Sequence, residues 1–207
     1  MDIKNMFKDA LILFAITLVA GLLLGAVNEV TKEPIANAKE NAKNEAYKEV
    51  LPLADTFSAV EINEEAKNSS IEETGYTYTD LDEVIEGYEN GNLVGYVITV
   101  TSHEGYGGDI QFSIGISTEG VLNGISILSI SETAGLGMNA EKIIVPQLQN
   151  IKLKDYPESS LTYTKSGSNS EYEIDAISGA TITTKAVMNS LNFGIEYYNL
   201  ALKEENR

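Results

Sequence analysis

Residues 109–131 read DIQFSIGIS, then TEG, then VLNGISILSIS, and they set the architecture that we expect. Apolar, mostly β-branched residues alternate with polar ones on both sides of the TEG segment, which is the pattern of two strands joined by a turn. Upstream, residues 92–102 (NLVGYVITVTS) show the same alternation and predict a third strand. Consecutive strands of this kind predict an antiparallel sheet.

Downstream of these strands the sequence predicts two helices. The first runs from Asn139 to about Gln149, with Pro146 weakening its continuity. The second follows a loop and a short strand within residues 165–178 (KSGSNSEYEIDAIS). Its apolar stripe at helical spacing predicts a core-facing helix and comprises Val187, Leu191, Gly194, Ile195, Tyr198 and Leu202. Residues 93–207 are therefore expected to form an α+β domain with a mainly antiparallel sheet and flanking helices.

Near the start of the chain, residues 10–27 (ALILFAITLVAGLLLGAV) contain no charged residue. At about 1.5 Å per residue this run covers about 27 Å, close to the hydrocarbon core of a bilayer. We predict one uncleaved transmembrane helix at residues 10–28. A cleaved signal peptide is the alternative, but no clear cleavage site follows the run. Lys4 and Lys8 precede the span, which favours a cytoplasmic N-terminus at residues 1–9 and an extracytoplasmic domain in the cell membrane.

Between the span and the strands, residues 29–52 are rich in alanine, lysine and glutamate and predict a stalk helix that ends at Pro52. Ala38, Ala42, Ala46 and Val50 recur every four residues, as on a helix face that packs on a partner or on the chain's own domain. Residues 53–92 are interpreted as an acidic connecting region.

The composition excludes several classes of function. The 207 residues carry a net charge of −17, which repels nucleic-acid phosphates, so we expect no nucleic-acid partner. The chain has no cysteine, which excludes disulfides, thiolate zinc sites and cysteine-ligated iron–sulfur clusters within it. The single histidine, His103, cannot form a histidine-rich metal site, and we expect no metal.

The stretch DAISGATITTKAV, Asp175 to Val187, leads into the last helix and allows two interpretations. Serine, threonine and aspartate are good helix caps, so it can be a helix start and nothing more. Alternatively, the free N–H groups of a helix N-terminus attract phosphate, and small residues let a ligand approach the backbone. Hydroxyls for such contacts would come from Ser178, Thr181, Thr183 and Thr184.

The free energy available from a helix start limits the second interpretation. A helix dipole stabilises an anion by about 0.3–2 kcal/mol, whereas micromolar binding requires about 8 kcal/mol. The helix start of so acidic a chain cannot hold a flavin phosphate by itself. Other contacts must dominate, or the cofactor is held covalently.

The segment DAISGATITT resembles the covalent flavin site of the FMN-binding domain found in the G subunit of Rnf electron-transport complexes. The same domain occurs in the C subunit of sodium-pumping NADH:quinone reductases, and the short chain favours Rnf. In that family the motif resembles D-x-x-[ST]-G-A-T, and its last threonine is esterified to the phosphate of FMN. The resemblance implies that Thr181 is the acceptor, that Asp175, Ser178, Gly179 and Ala180 frame it, and that a separate magnesium-dependent flavin transferase installs the group. Thr184 is expected to contact the cofactor as well.

A second segment, SETAGLG at residues 131–137, resembles the E-T-P-G-L-G stretch of the same family. Glu132, Thr133, Gly135 and Leu136 are therefore implied as cofactor contacts, and Ala134 replaces the usual proline. The alternative for this segment is an ordinary glycine-rich loop. The residues GYGG, Gly105 to Gly108, precede the strand hairpin in the same order as in the family.

The resemblance implies a membrane-anchored flavoprotein subunit that passes electrons between ferredoxin and NAD within a multi-subunit, ion-translocating complex. Its partners would be the other Rnf subunits, and its cofactor would be FMN in phosphoester linkage. No NAD-binding motif is present, so no complete active site is expected on this chain, and no catalytic residue is assigned. The alternative function is a non-redox, membrane-anchored binding or assembly module.

Overall fold

The computed structural model describes residues 3–153 and 160–203. Four α-helices occur in this part of the chain: α1 (Ile3–Val50), α2 (Glu64–Thr74), α3 (Ala140–Ile143) and α4 (Thr181–Tyr197). Short 3-10 turns flank α3, and a π-helical turn at Tyr198–Leu202 extends α4. The chain divides into two compact units, one up to Lys43 and one from Asn44 onward.

The second unit contains a six-stranded antiparallel sheet in the order β1-β2-β3-β4-β5-β6. Its strands are β1 (Thr56–Val60), β2 (Thr79–Glu89), β3 (Asn92–Ser102), β4 (Ile110–Ser117), β5 (Val121–Ile130) and β6 (Ile151–Lys152). A separate parallel pair consists of β7 (Thr162–Thr164) and β8 (Glu173–Asp175). The predicted α+β class with a mainly antiparallel sheet is confirmed.

Helix α4 packs on one face of the sheet and forms the larger core with it. All six residues of its predicted apolar stripe are buried. Two hydroxyl pairs are buried in the same domain, Thr79 with Ser190 of α4 at 2.8 Å and Thr99 with Ser113 at 2.9 Å. The start of α4, which carries the threonine-rich motif, is thereby fixed next to the ends of the strands.

A smaller apolar cluster covers part of the sheet with the end of α1. Tyr47, Val50 and Leu51 are buried there against Ile85 and Val97. On the predicted small-residue face of the stalk, Ala46 and Val50 are buried, whereas Ala38 and Ala42 are exposed. The last turn of α1 is therefore part of the domain that begins at Asn44.

Two local predictions differ from the structure. Residues 53–92, predicted as an acidic connection, contain β1, α2 and β2. The alternation in β2 is hard to read because a register shift between Leu81 and Glu83 interrupts it while carboxylates occupy its exposed positions. The helix predicted from Asn139 breaks into short helical pieces around α3, because Pro146 starts a new 3-10 turn.

Helix α1 is long and apolar enough to cross a membrane. It continues through Pro34, so the predicted span at 10–28 and the predicted stalk at 29–52 belong to one helix. The large apolar side chains from Leu11 to Val27 are exposed, with no packing partner among the described residues. Residues 1 and 2 of the predicted cytoplasmic segment, and the side chain of Lys4, lie outside the described part.

Candidate functional site

A cavity of about 550 Å³ lies where the start of α4 meets the loops at residues 103–109 and 131–137. Its volume is within the range of about 300–1,000 Å³ that is typical of small-molecule and cofactor sites. The wall consists of Tyr106, Glu132, Thr133, Leu136, Gly137 and the five residues Gly179–Thr183. The three glycine-containing segments singled out in the sequence therefore meet at one place.

The turn before α4 is held by its own backbone and by one buried hydroxyl. The Ala180 N–H donates to the Ile177 carbonyl at 3.0 Å. Gly179 has a φ of +77°, a left-handed conformation that glycine adopts without steric cost. A Cβ atom at this position would also lie 3.1 Å from Leu136. Glycine at 179 is thus required both by the turn and by the adjoining wall of the cavity.

The N-terminus of α4 has no side-chain cap. Ala180 occupies the cap position, and no side chain hydrogen-bonds to the first turn. The backbone N–H groups of Thr181, Ile182 and Thr183 find no acceptor among the described residues. The predicted helix start is present, but none of the predicted serine, threonine or aspartate caps is used among the described residues, and the free donors lie at the edge of the cavity.

The four hydroxyls of the motif separate into different surroundings. Thr181 is half-buried and lines the cavity together with the buried Thr183. Ser178 is exposed and lies outside this cavity. Thr184 is fully buried: its hydroxyl donates to the Ala180 carbonyl at 3.0 Å and accepts from the Ile177 N–H at 3.1 Å. The predicted cofactor contact at Thr184 is replaced by a structural one.

Asp175, the first residue of the predicted frame, does not line the cavity. It ends β8 and pairs with Thr164 of β7. Its backbone N–H donates to the Gln147 side chain at 2.7 Å, and its carbonyl accepts from the same amide at 3.2 Å. Asp175 thus orients the segment that leads to Thr181.

Glu132 lines the cavity and holds the loop opposite. Its Oε1 accepts hydrogen bonds from the backbone N–H groups of Tyr106, at 2.7 Å, and Gly107, at 3.2 Å. The Tyr106 ring is left 71 % exposed on the cavity wall. Glu132 therefore positions Tyr106, a residue whose place in the site the sequence did not predict.

The SETAGLG segment contributes unequally. Thr133 and Leu136 line the cavity, as does Gly137, where an added Cβ would lie 2.6 Å from the Thr183 hydroxyl oxygen and 2.7 Å from the Glu132 Cβ. Gly135 faces open space and does not line it. Gly137, rather than the predicted Gly135, is the glycine that close packing requires.

Further contacts fasten the 103–109 loop to the domain. Glu104 accepts hydrogen bonds from Asn189 of α4 at 2.5 Å and from Lys185 at 3.4 Å. His103 lies between Asp80, at 3.0 Å, and Asp109, at 2.8 Å. Hydrogen bonds that the imidazole donates to the carboxylates of Asp80 and Asp109 raise the pKa of His103 above its ordinary value. Nothing in the sequence pattern indicates these partners, because all except Asp109 are more than twenty residues away along the chain.

A second, smaller cavity of about 290 Å³ also involves Thr181. It is lined by Lys165, Ala176, Ile177, Ser178, Gly179 and Thr181. Gly179 and Thr181 thus contribute to both cavities. The two cavities differ in charge, because Glu132 lines the larger one and Lys165 the smaller one.

Comparison with known protein families gives two matches. Residues 105–196 match the FMN-binding domain, a range that contains both the Glu132 loop and the start of α4. Residues 1–50 match the RnfG N-terminal region, which coincides with helix α1.

Several curated proteins are similar over nearly their whole length. The chain is 39% identical over 198 residues to the G subunit of the Na(+)-translocating ferredoxin:NAD(+) oxidoreductase complex of Acetobacterium woodii, covering 95% of this chain and 93% of that protein. It is 30% identical to the G subunit of the ion-translocating oxidoreductase complex of Methanosarcina acetivorans, covering 95% and 96%. It is 28% identical to the G subunit of the proton-translocating ferredoxin:NAD(+) oxidoreductase complex of Clostridium ljungdahlii, covering 91% and 93%.

These similarities extend through the apolar helix and the domain that holds the cavity. Both family matches and the relatives agree on the same class of protein. The chain belongs to the family of G subunits of Rnf ion-translocating oxidoreductase complexes and contains that family's FMN-binding domain.

Proposed function

We propose that the chain is an electron-carrying flavoprotein subunit of a membrane-bound Rnf complex and that its FMN is joined to Thr181 by a phosphoester. The observation that carries this proposal is the position of Thr181: it combines a hydroxyl, an uncapped helix start and a cofactor-sized cavity. FMN, when bound, supplies one-electron and two-electron redox chemistry.

The residues around Thr181 fit the parts of this cofactor. Tyr106, Leu136 and Ile182 are exposed apolar side chains on the cavity wall and suit a flat, largely apolar ring system. The free N–H groups of Thr181, Ile182 and Thr183 give the helix start next to Thr181 a positive end, which favours an anion bonded to that residue. Gly137 lets its loop pack closely against Thr183 at the start of α4. The chain's role is to hold the ring, shield it and tether it.

Attachment requires a donor more reactive than FMN, because ester formation with loss of water is unfavourable in water. A flavin dinucleotide has the right chemistry. The Thr181 oxygen bonds to the phosphorus of its FMN half, the bond between the two phosphates breaks, and a nucleoside monophosphate leaves. The hydroxyl proton passes to a base of the magnesium-dependent flavin transferase that we propose as the maturation partner.

The proposed location follows from helix α1 and from the relatives. Helix α1 anchors the chain in the cell membrane, with the N-terminus in the cytoplasm and the FMN-binding domain on the other side. The other subunits of the complex supply the iron–sulfur and NAD sites, since this chain has no cysteine. A relay between ferredoxin and NAD is what the names of relatives in Acetobacterium and Clostridium describe.

Denaturing gels test the covalent link. The full chain is co-expressed with a flavin transferase, and flavin fluorescence is read after denaturation for the wild type, Thr181→Val and the control Thr162→Val. Thr162 is an exposed threonine on β7 that lines neither cavity. We expect fluorescent bands for the wild type and Thr162→Val and none for Thr181→Val. A fluorescent Thr181→Val band places the link elsewhere, and a dark wild type favours a non-redox binding or assembly module.

A further inference from the structure

The smaller cavity suggests where the linked phosphate is held. Resting on the function proposed above, we propose that Lys165 is the positioning residue for the phosphoryl group on Thr181 and holds it in this second cavity. The larger cavity then houses the ring system. This assigns a binding role to a lysine outside both of the sequence segments that resemble the flavin site.

The two cavities lie next to each other and share part of their wall. Thr181 and Gly179 line both cavities, so both cavities adjoin the residue to which we propose FMN is attached. At about 290 Å³ the smaller cavity is too small for the whole of FMN, yet it has ample room for a phosphoryl group. The larger one, at about 550 Å³, has the apolar wall. Division of the cofactor between the two follows from size and lining.

The charged residues that line the two cavities favour the smaller one as the site of the phosphate. A phosphodiester keeps one negative charge at neutral pH, and Glu132 on the wall of the larger cavity repels it. In the smaller cavity, Lys165 supplies an ammonium group and Ser178 a hydroxyl. Charge-assisted hydrogen bonds from such donors are about twice as strong as neutral ones.

Among the described residues, the ammonium group of Lys165 forms no ion pair. Within residues 3–153 and 160–203 no carboxylate oxygen lies within 4.0 Å of its ammonium nitrogen. Lys185, the only cation in the threonine-rich motif, lies 3.4 Å from Glu104 instead. A lysine that has no ion pair within the described residues and lines a cavity with Thr181 provides local positive charge for the phosphate in a chain with a net charge of −17.

The backbone holds Lys165 in place. It directly follows Thr164, whose carbonyl accepts a hydrogen bond from the Ala176 N–H at 2.8 Å. Thr164 is also paired with Asp175 in the β7–β8 ladder. This pairing fixes the segment before Lys165 beside the segment that leads to Ser178, and Lys165 and Ser178 both line the smaller cavity.

The test compares Lys165→Gln, Lys165→Arg and a matched control, Lys152→Gln, in the full chain co-expressed with a flavin transferase. Lys152 is an exposed lysine on β6 that lines neither cavity. The readouts are the initial rate of covalent flavin loading and the ³¹P NMR resonance of the folded, loaded protein. For Lys165→Gln we expect loading to be roughly tenfold slower and the phosphorus resonance to move, since a charged hydrogen bond is lost. Lys165→Arg is expected to restore both, and Lys152→Gln to match the wild type.

A ³¹P resonance that is unchanged in Lys165→Gln overturns the inference. If Lys165→Gln does not load at all, Lys165→Arg decides: restored loading supports the inference, and absent loading in a variant with wild-type melting temperature overturns it. A wild type without covalent flavin overturns the proposed function and, with it, this inference. The two failures are distinguishable: if only the inference is wrong, the wild type carries covalent flavin and the ³¹P resonance is the same in Lys165→Gln.

Discussion

At the scale of single residues, Thr184 and Thr181 are the same side chain three positions apart on one helix, yet they have different surroundings. Thr184 reaches back to the Ala180 carbonyl and the Ile177 N–H, so its hydroxyl is used within the protein. Thr181 borders two cavities. One hydroxyl therefore builds the turn that exposes the other.

Thr184→Val tests this division. The change leaves the buried N–H of Ile177 without its partner, so we expect the free energy of unfolding to fall by about 1–3 kcal/mol. Thermal unfolding of the purified chain, alongside Thr184→Ser as the control that keeps the hydroxyl, measures it. Equal stability of Thr184→Val and the wild type would contradict the role assigned to this hydroxyl.

His103 gives a pH dependence to the loop that carries Tyr106. The carboxylates of Asp80 and Asp109 raise its pKa in the folded state. The stabilisation from the charged imidazole is complete below the unfolded-state pKa of about 6.5, and it is lost as the pH rises through the higher folded-state pKa. The side chain is 39% exposed, so solvent screening keeps the effect modest.

The corresponding variant is His103→Gln. We expect its melting temperature to lie below that of the wild type at about pH 6 and the difference to shrink towards about pH 9, because the wild type loses the charge over that interval. Melting curves of both proteins across this range provide the measurement. A difference that stays constant with pH would show that His103 acts only through packing.

At this scale the sequence singled out Thr181, Gly179 and Glu132, which line one cavity, because short motifs keep neighbouring residues together in space; their contacts with the cofactor stay a prediction. It assigned Thr184 and Gly135 to the cofactor, since their residue types and spacing suit a ligand as well as they suit a turn. Only the hydrogen bonds of Thr184 and the open surroundings of Gly135 separate these possibilities.

At the scale of elements, helices α2 and α4 meet at a pair of carboxyl groups. Burial, and then the hydrogen bond and negative charge of Glu73, raise the pKa of Glu196. The folded state therefore favours protonated Glu196. The resulting stabilisation is complete below the ordinary glutamate pKa of about 4.3 and is lost as the pH rises through the folded-state value.

Glu73→Gln is expected to raise the melting temperature at about pH 7, because it removes the like charge next to Glu196. The gain should shrink as the pH falls, because the raised pKa of Glu196 lets it take up a proton and lose the charge that Glu73 repels. Glu72→Gln is the matched control: it removes an exposed carboxylate from the same last turn of α2, and with it the same helix-dipole repulsion. Equal gains from both variants would refute a specific Glu73–Glu196 repulsion.

Element prediction succeeded where the hydrophobic period was regular, as in β3, β4, β5 and α4. It failed for β2, where a register shift between Leu81 and Glu83 changes the face to which side chains point. The pairing of β7 with β8 was also not predicted, because a strand of three residues has too few positions to show a hydrophobic period.

At the scale of the whole molecule, the domain begins earlier than the strand pattern alone suggests. Strand β2 pairs with β3 from Thr79 to Glu89, and Tyr47, Val50 and Leu51 are buried on the same sheet. The predicted division at residue 93 separates β3 from the strand next to it. The contacts that cross this division join residues distant along the chain, which a reading of local patterns does not detect.

Truncation tests the extent of the domain. A fragment of residues 44–207 keeps both apolar clusters, and we expect it to unfold cooperatively. A fragment starting at residue 53 loses four buried apolar side chains, those of Ala46, Tyr47, Val50 and Leu51, at a cost of roughly 5 kcal/mol. A fragment of residues 93–207 loses β1 and β2 as well and is expected to be insoluble. Thermal unfolding followed by circular dichroism ranks them, and a cooperative, soluble 93–207 fragment would contradict the architecture described here.

The account as a whole depends on the bond between Thr181 and FMN. Trypsin, which cleaves after lysine, releases residues 166–185 as one peptide that contains Thr181. Mass spectrometry of this peptide from the chain purified from its native membrane measures the bond directly. We predict a mass increase equal to FMN less one water, with fragmentation assigning it to Thr181; an unmodified peptide would contradict the covalent flavin.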